Sequence, residues 1–314
     1  MKQLAPIATA AAALTAVLLT GSSAHALRLP AARHCPVFPA SNPWNQRVDK
    51  LPVSADSAQL ISSIGLNASV HADFGSGTWD GGPIGIPFDV VSKKTPRSRV
   101  SFDYADESNR IRYPISRGVH IEGGAHATGD RHAILVDKSS CRLYELYALR
   151  HTTQGWTAGS GAVWSLRSNH LRPAGWTSAD AAGLPIFPGL ARLDEASRGV
   201  IDHALRFTAS QTRRAYVYPA RHYASSSNDP SLPPMGLRVR LKANVDVASF
   251  PKQARIVLRA LQRYGMILAD NGSPWYISGA PNRHWSNDQL HTLGRLTGAD
   301  FEVVDTSSLP QPGK

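Results

Sequence analysis

The sequence predicts a mainly β protein: one domain of β-sandwich or jelly-roll type, with a few peripheral helices chiefly near the C-terminus. Three observations predict it. About ten short runs rich in β-branched and aromatic residues are punctuated by Gly, Pro or Asn. Helical periodicity is confined to a few segments, most of them late in the chain. No repeat with a period of roughly 20–50 residues recurs, which excludes a propeller or a solenoid.

The elements follow in order. Residues 1–26 read as a secretory signal peptide: Lys2 precedes an apolar run, and Ala24-His25-Ala26 supplies a small-residue cleavage site. No other apolar stretch approaches the roughly 18 residues that a membrane span needs. Residues 27–53 read as an extended N-terminal arm, with Pro36, Pro39, Pro43 and Pro52. Residues 54–314 read as a single β-rich catalytic or binding domain, because no linker composition interrupts them.

Within that domain, residues 54–64 read as a short helix with Leu60, Ile61 and Ile64 on one face and Gly65 as its stop. Strands are expected at 84–91, 99–104 and 111–115, and at 131–137 and 142–147 as a hairpin. Further strands are expected at 201–208, 215–218, 237–245, 275–278 and 301–304. Ser249 and Ser286 read as caps of late helices closed by Gly265 and Gly298, and Thr177 with Asp180 has capping-box spacing. Asp270-Asn271-Gly272 reads as a tight turn.

Composition narrows the class. The chain carries 34 Lys and Arg against 23 Asp and Glu, a formal charge of +11, with 42% hydrophobic and 18% charged residues. A disordered chain would be poorer in apolar residues and richer in charge. Two cysteines cannot staple 314 residues as a disulfide framework. In an exported chain they are expected to pair, Cys35 with Cys141. The positive balance favours an anionic partner. No run of Lys and Arg concentrates it, so a nucleic-acid partner is not expected.

Several chemistries lack their motif. There is no Gly-x-Ser-x-Gly, no phosphate-binding loop, no His-Glu-x-x-His and no dinucleotide fingerprint. The densest polar run is His120 to His132, containing Glu122, a Gly-rich stretch and Asp130, followed by Asp137 and Glu145. Strand alternation puts His132 on one strand and Glu145 on its neighbour, where both can face a cleft. A second run, Asp202 to Thr208, sets Asp202 and Arg206 on one face and His203 on the other. A third, Tyr216 to Tyr223, combines Arg221 and His222 with phenols suited to sugar stacking. Trp164 is a further stacking platform. The candidate catalytic residues are therefore Glu122, Asp130, His132, Glu145, His203 and His222, and the candidate substrate-binding residues are Arg206, Arg221, Tyr223 and Trp164. Each also has an ordinary structural reading, as a core histidine, a turn ion pair or a packed aromatic. No metal site and no cofactor is expected, since no diagnostic ligand spacing occurs.

The runs IEGGAHATGDRHAILVDKSSCRLYELY, LRPAGWTSADAAGLPIFPGL and ARHYASSSNDPSLPPMGLRVRLKA resemble a family of secreted microbial proteins without an assigned activity. That resemblance implies export and a single full-length domain, and implies no catalytic residue. A looser resemblance is to jelly-roll polysaccharide lyases of the alginate-lyase type. Arg142-Leu-Tyr-Glu145 and His120-Ile-Glu122 are similar to two of their strand motifs, in reversed order.

The expected function is a secreted carbohydrate-active enzyme, extracellular or periplasmic and monomeric, cleaving a polysaccharide that the charge balance suggests is acidic. As a glycoside hydrolase it would use two carboxylates, about 5–5.5 Å apart for retention or about 6.5–9.5 Å for inversion. As a polysaccharide lyase it would use Arg206 or Arg221 to neutralise a uronate and a histidine or tyrosine to abstract the proton. The alternative is a non-catalytic carbohydrate- or cell-envelope-binding protein.

Overall fold

The computed structural model describes Met1 and residues 28–313, so the signal-peptide reading of residues 1–26 lies almost wholly outside the described residues. The largest sheet has six strands in the order β1 (His71–Asp73), β14 (Tyr276–Ser278), β11 (Leu205–Ala209), β13 (Met266–Asn271), β12 (Arg238–Leu241) and β15 (Phe301–Val303). Helices α1 (Ser57–Gly65) and α3 (Lys252–Arg263) pack against it. Each offers an apolar stripe at helical spacing, Leu60, Ile61 and Ile64 on α1 and Ala254, Val257, Leu258 and Leu261 on α3. These meet Leu205, Phe207 and Ile267 of the sheet in the largest core.

A four-stranded sheet runs β10 (Ser160–Ser165), β7 (Arg142–Tyr147), β6 (Ala133–Asp137), β4 (Phe88–Val91). Its strand β6 is buried on both faces. Ile134 and Val136 join one core with Leu143 and Phe187, while Ala133 and Leu135 join another with Tyr144 and Leu146. The third sheet is β5 (Val100–Phe102), β9 (Gly155–Ala158), β8 (Arg150–Thr152), and a small hairpin pairs β2 (Thr78–Trp79) with β3 (Gly82–Pro83). Two short helices complete the described elements used below, α2 (Leu193–Arg198) and α4 (Asn287–His291).

The protein is thus strand-rich, with several sheets and few helices, as the sequence predicts. The jelly-roll arrangement is not what the strands form. Among the described residues they divide among four sheets, and the pairs β1/β14, β4/β6, β5/β9 and β11/β13 run parallel, whereas jelly rolls are built from antiparallel Greek keys. A parallel neighbour needs a long crossover. Between β11 and β13 the chain supplies one, ending in α3. Counting apolar runs gives the number of strands and not their direction.

Local differences have local causes. Segments 111–115 and 215–218 supply only isolated bridges, Tyr113 to Ser98 and Tyr216 to Met235. Ser249 donates to the Asp246 carbonyl, and Pro251 occupies the N-cap of α3. Ser286 caps α4 as expected, accepting from the Gln289 amide. Asp180 makes no capping box with Thr177, because its carboxylate is taken by Arg206. Asp270 and Asn271 end β13 instead of forming the centre of a turn.

The segment expected as an extended arm is wound into the body. Cys35, Val37, Phe38 and Trp44 are buried, and short 3-10 turns form at Pro30–Ala32 and Pro43–Asn45. Arg238 holds the segment in place, donating to the carbonyls of Pro43, Gln46 and Tyr264. Cys35 is joined to Cys141 with a Cα–Cα distance of 5.2 Å, as the sequence predicts.

Candidate active site

A cleft of about 600 Å³ opens between the β1 edge of the six-stranded sheet and the loop 122–131 that leads into β6. Its lining includes His71, Asp73, Trp79, Glu122, Asp130 and Tyr276. Strand β1 sets the first wall by simple alternation: Val70, Ala72 and Phe74 are buried, so His71 and Asp73 point the other way. Tyr276, directly opposite His71 in the parallel register, stacks on its ring at 4.3 Å between centroids. Trp79 on the β2/β3 hairpin is 79% exposed at the lip.

The second wall is the Gly-rich loop. Gly123 and Gly124 have φ of +69° and +86°, and Gly82 of the hairpin has no room for a Cβ because the Gly123 carbonyl lies against it. Arg131 holds this loop from beneath. It is 4% exposed, has φ +51°, and donates to the carbonyls of Gly124, Ala125, Ala127 and Leu149. A left-handed arginine costs energy, and four hydrogen bonds over-determine it.

His132 fixes the carboxylate that this loop presents. Its Nδ1 lies 2.6 Å from Glu122 Oε2 and its Nε2 2.9 Å from the Ala179 carbonyl oxygen. Both partners only accept, so both ring nitrogens donate and the ring is an imidazolium. Burial opposes that charge, but Glu122, helped by Asp130, overrides it and raises the His132 pKa to about 9. Burial likewise opposes ionisation of Glu122, and His132 more than compensates, leaving the carboxyl below its ordinary range. Asp73 is shifted the opposite way. Its side chain opens to the cleft, yet the surrounding walls desolvate it, and with Glu122 they outweigh the pull of His71 and Arg206 to raise its pKa. The cleft therefore holds two carboxyl groups pushed apart in acidity.

Behind the cleft lies a buried ionic network. Arg206 donates from Nε and Nη2 to the two oxygens of Asp180, at 2.9 and 2.8 Å, from Nη2 to Asp270 at 3.2 Å, and from Nη1 to Ser278. Burial, aided by Asp180 and only partly countered by Arg206, raises Asp270 to about 7. Glu145 is fully buried, accepts from the amides of Ile186 and Phe187, and is raised by burial to about 8. Among the described residues, no group of three or more His, Cys, Asp or Glu is disposed to hold a metal ion.

Of the residues singled out in the sequence, Glu122, Asp130 and His132 come together here. The others do not converge with them on one cleft. Glu145 is in the interior, and Arg206 is sealed behind the site by its own ion pairs. His203 sits in a separate buried cluster, with Nε2 3.0 Å from Glu195, which also pairs with Arg192. His222 is on another loop, bonded to the Ala181 carbonyl and stacked on Tyr223, while Arg221 donates to the Arg172 carbonyl. Trp164 is 6% exposed beside Arg172. Asp73, His71, Trp79 and Tyr276 are the residues that sequence reasoning missed. The alternation in Val70 to Phe74 was the available signal for Asp73.

No protein-family model matches the chain, and comparisons with curated proteins and with solved structures likewise return no match.

Proposed function

We propose that the protein is an exported glycoside hydrolase that cleaves a polysaccharide in the Asp73/Glu122 cleft. The observation that carries this reading is the meeting of two carboxyl groups and an aromatic surface in one open cleft. Glycosidic bonds are cleaved by such a pair, one carboxyl as acid and one ionised. Asp73, whose pKa is raised, is the proton donor to the leaving oxygen. Glu122, kept ionised by His132, serves the sugar ring as nucleophile or as base for water. The His71–Tyr276 stack and Trp79 offer flat faces for pyranose rings. Export is supported by the reading of residues 1–26 and by the disulfide.

The hydrolase reading is preferred to the lyase because Arg206, whose charge acts on both carboxyl groups, is spent on Asp180 and Asp270, and Arg131 of the lining is spent on backbone carbonyls. The test is a screen of neutral, acidic and amino-bearing glycans, following new reducing ends together with the absorbance of unsaturated products. Reducing ends without unsaturation support the hydrolase, and unsaturated products support the lyase. Retention on immobilised glycan without turnover supports the non-catalytic alternative, which needs only the aromatic surfaces.

A further inference from the structure

We propose that the cleft continues past the His71–Tyr276 stack into a second saccharide subsite, and that an uncharged stretch of glycan is bound there in mid-chain. This rests on the reading of the cleft as a glycan site and adds the extent and the class of the chain it takes. A second cavity, of about 390 Å³, adjoins the cleft. Small-molecule sites occupy roughly 300–1,000 Å³, so it has the size of one. The two cavities share His71, Ala72, Tyr276, Leu290 and His291, and the paired rings form a shelf common to both. Ser69 and Gly294 line the second cavity alone, and Asp73, Trp79 and Glu122 the first alone.

Strand alternation makes the two cavities continuous. Val70, Ala72 and Phe74 are buried, so Ser69, His71 and Asp73 stand in a row on the other face. At about 3.3 Å per residue that row spans roughly 13 Å, longer than one pyranose ring. Asp73 lies inside the groove and not at its end. The shelf is on one side of it, and on the other the chain passes through Gly75 into the β2/β3 hairpin that carries Trp79. Ser69, His291 and Gly294 are exposed, so the second cavity opens to solvent and a chain can leave through it. Among the described residues its lining holds no Asp, Glu, Lys or Arg. Arg295, next to Gly294, is turned onto the Phe250 ring. A uronate placed there would lose hydration without gaining a guanidinium or ammonium partner. A neutral ring meets the aromatic shelf, with imidazole and phenol groups to bond its hydroxyls.

Binding as a function of chain length tests this apart from turnover. Calorimetric titrations of Asp73→Asn, which removes the proposed acid, would compare dimers and tetramers of cello-linked glucose, of N-acetylglucosamine and of galacturonate. A neutral tetramer is expected to bind about tenfold more tightly than its dimer, equivalent to about 1.4 kcal/mol. Gly294→Leu, added to this protein, fills the second cavity. A Cβ at Gly294 meets only the Val70 carbonyl within 4 Å, at 3.7 Å, so the side chain enters without strain. Ser69→Leu fills the same cavity from the β1 side and is the second variant. In each the tenfold gain is expected to disappear, and a retained thermal midpoint shows that the variant is folded. No gain with length, a gain that survives in a folded variant, or tightest binding of the galacturonate tetramer overturns the proposal, as does failure of all three sugars to bind. A gain lost in the variants, with no glycan cleaved by the wild type, leaves the proposal standing and overturns the hydrolase reading. Release of single terminal sugars as the sole early product does the reverse.

Discussion

Replacing His132 with Gln tests the arrangement that holds Glu122 in its charged form. The native ring donates from Nδ1 to Glu122 and from Nε2 to the Ala179 carbonyl, and is fully buried. A pKa raised to about 9, against about 6.5 for a free imidazole, corresponds to about 3 kcal/mol of stability. Because the folded value is the higher one, this contribution is fully present below about pH 6.5 and is lost as the pH rises through about 9. The same attraction lowers Glu122, so it is counted once. Urea unfolding of the wild type and the variant, at about pH 6 and about pH 9.5, measures the effect. The deficit is expected near 3 kcal/mol at the lower pH and to shrink at the higher. Ring nitrogen shifts in NMR should show both nitrogens protonated at about pH 8. Titration of His132 near 6.5, or a deficit equal at the two pH values, refutes the reasoning.

Three further perturbations probe the interior. Glu145, raised to about 8, contributes stability below about pH 4.5 that is lost as pH rises through about 8, by up to about 5 kcal/mol; Glu145→Gln should flatten that slope in urea titrations across this range. Arg206→Met leaves Asp180 and Asp270 facing each other unneutralised, and is expected to cost about 3–5 kcal/mol. Thermal unfolding checks it, and an unchanged midpoint argues against the network. Reducing the Cys35–Cys141 bond opens a closure spanning 106 positions and is expected to cost about 4–5 kcal/mol in the chain-entropy model. Unfolding with and without reductant reads that difference directly.

What the sequence made legible divides along physical lines. Strands β6 and β7, helix α1 and the cystine were readable because each depends on local pattern or on cysteine count. Helix α3 was readable from its apolar face, although Pro251 and not Ser249 sets its start. Sheet direction was not readable, since period-2 patterning is the same for parallel and antiparallel neighbours. The site was half legible. Glu122, Asp130 and His132 lie within one short stretch, so their density marked them. His71 and Tyr276 are far apart in sequence and meet only because β1 pairs β14. Arg206 and His203 carried polar signals of equal strength, yet Asp180 and Asp270 were read as a cap and a turn, and Glu195, eight positions from His203, carried no signal of its own. Those partners turn candidate catalytic groups into buried structural pairs.

The central claim is that Asp73 and Glu122 work as an acid and a charged carboxylate on a glycosidic bond. The measurement that tests it most directly is the initial rate of reducing-end release by the wild type, Asp73→Asn and Glu122→Gln, on the best substrate from the glycan screen. The expected result is loss of about a hundredfold or more in each variant, with oligosaccharide binding retained. In the wild type, rate should fall on the acid side as Glu122, whose pKa is lowered, is protonated and on the basic side as Asp73, whose pKa is raised, ionises. A wild type inactive on every glycan, or variants that keep the wild-type rate, contradicts the account.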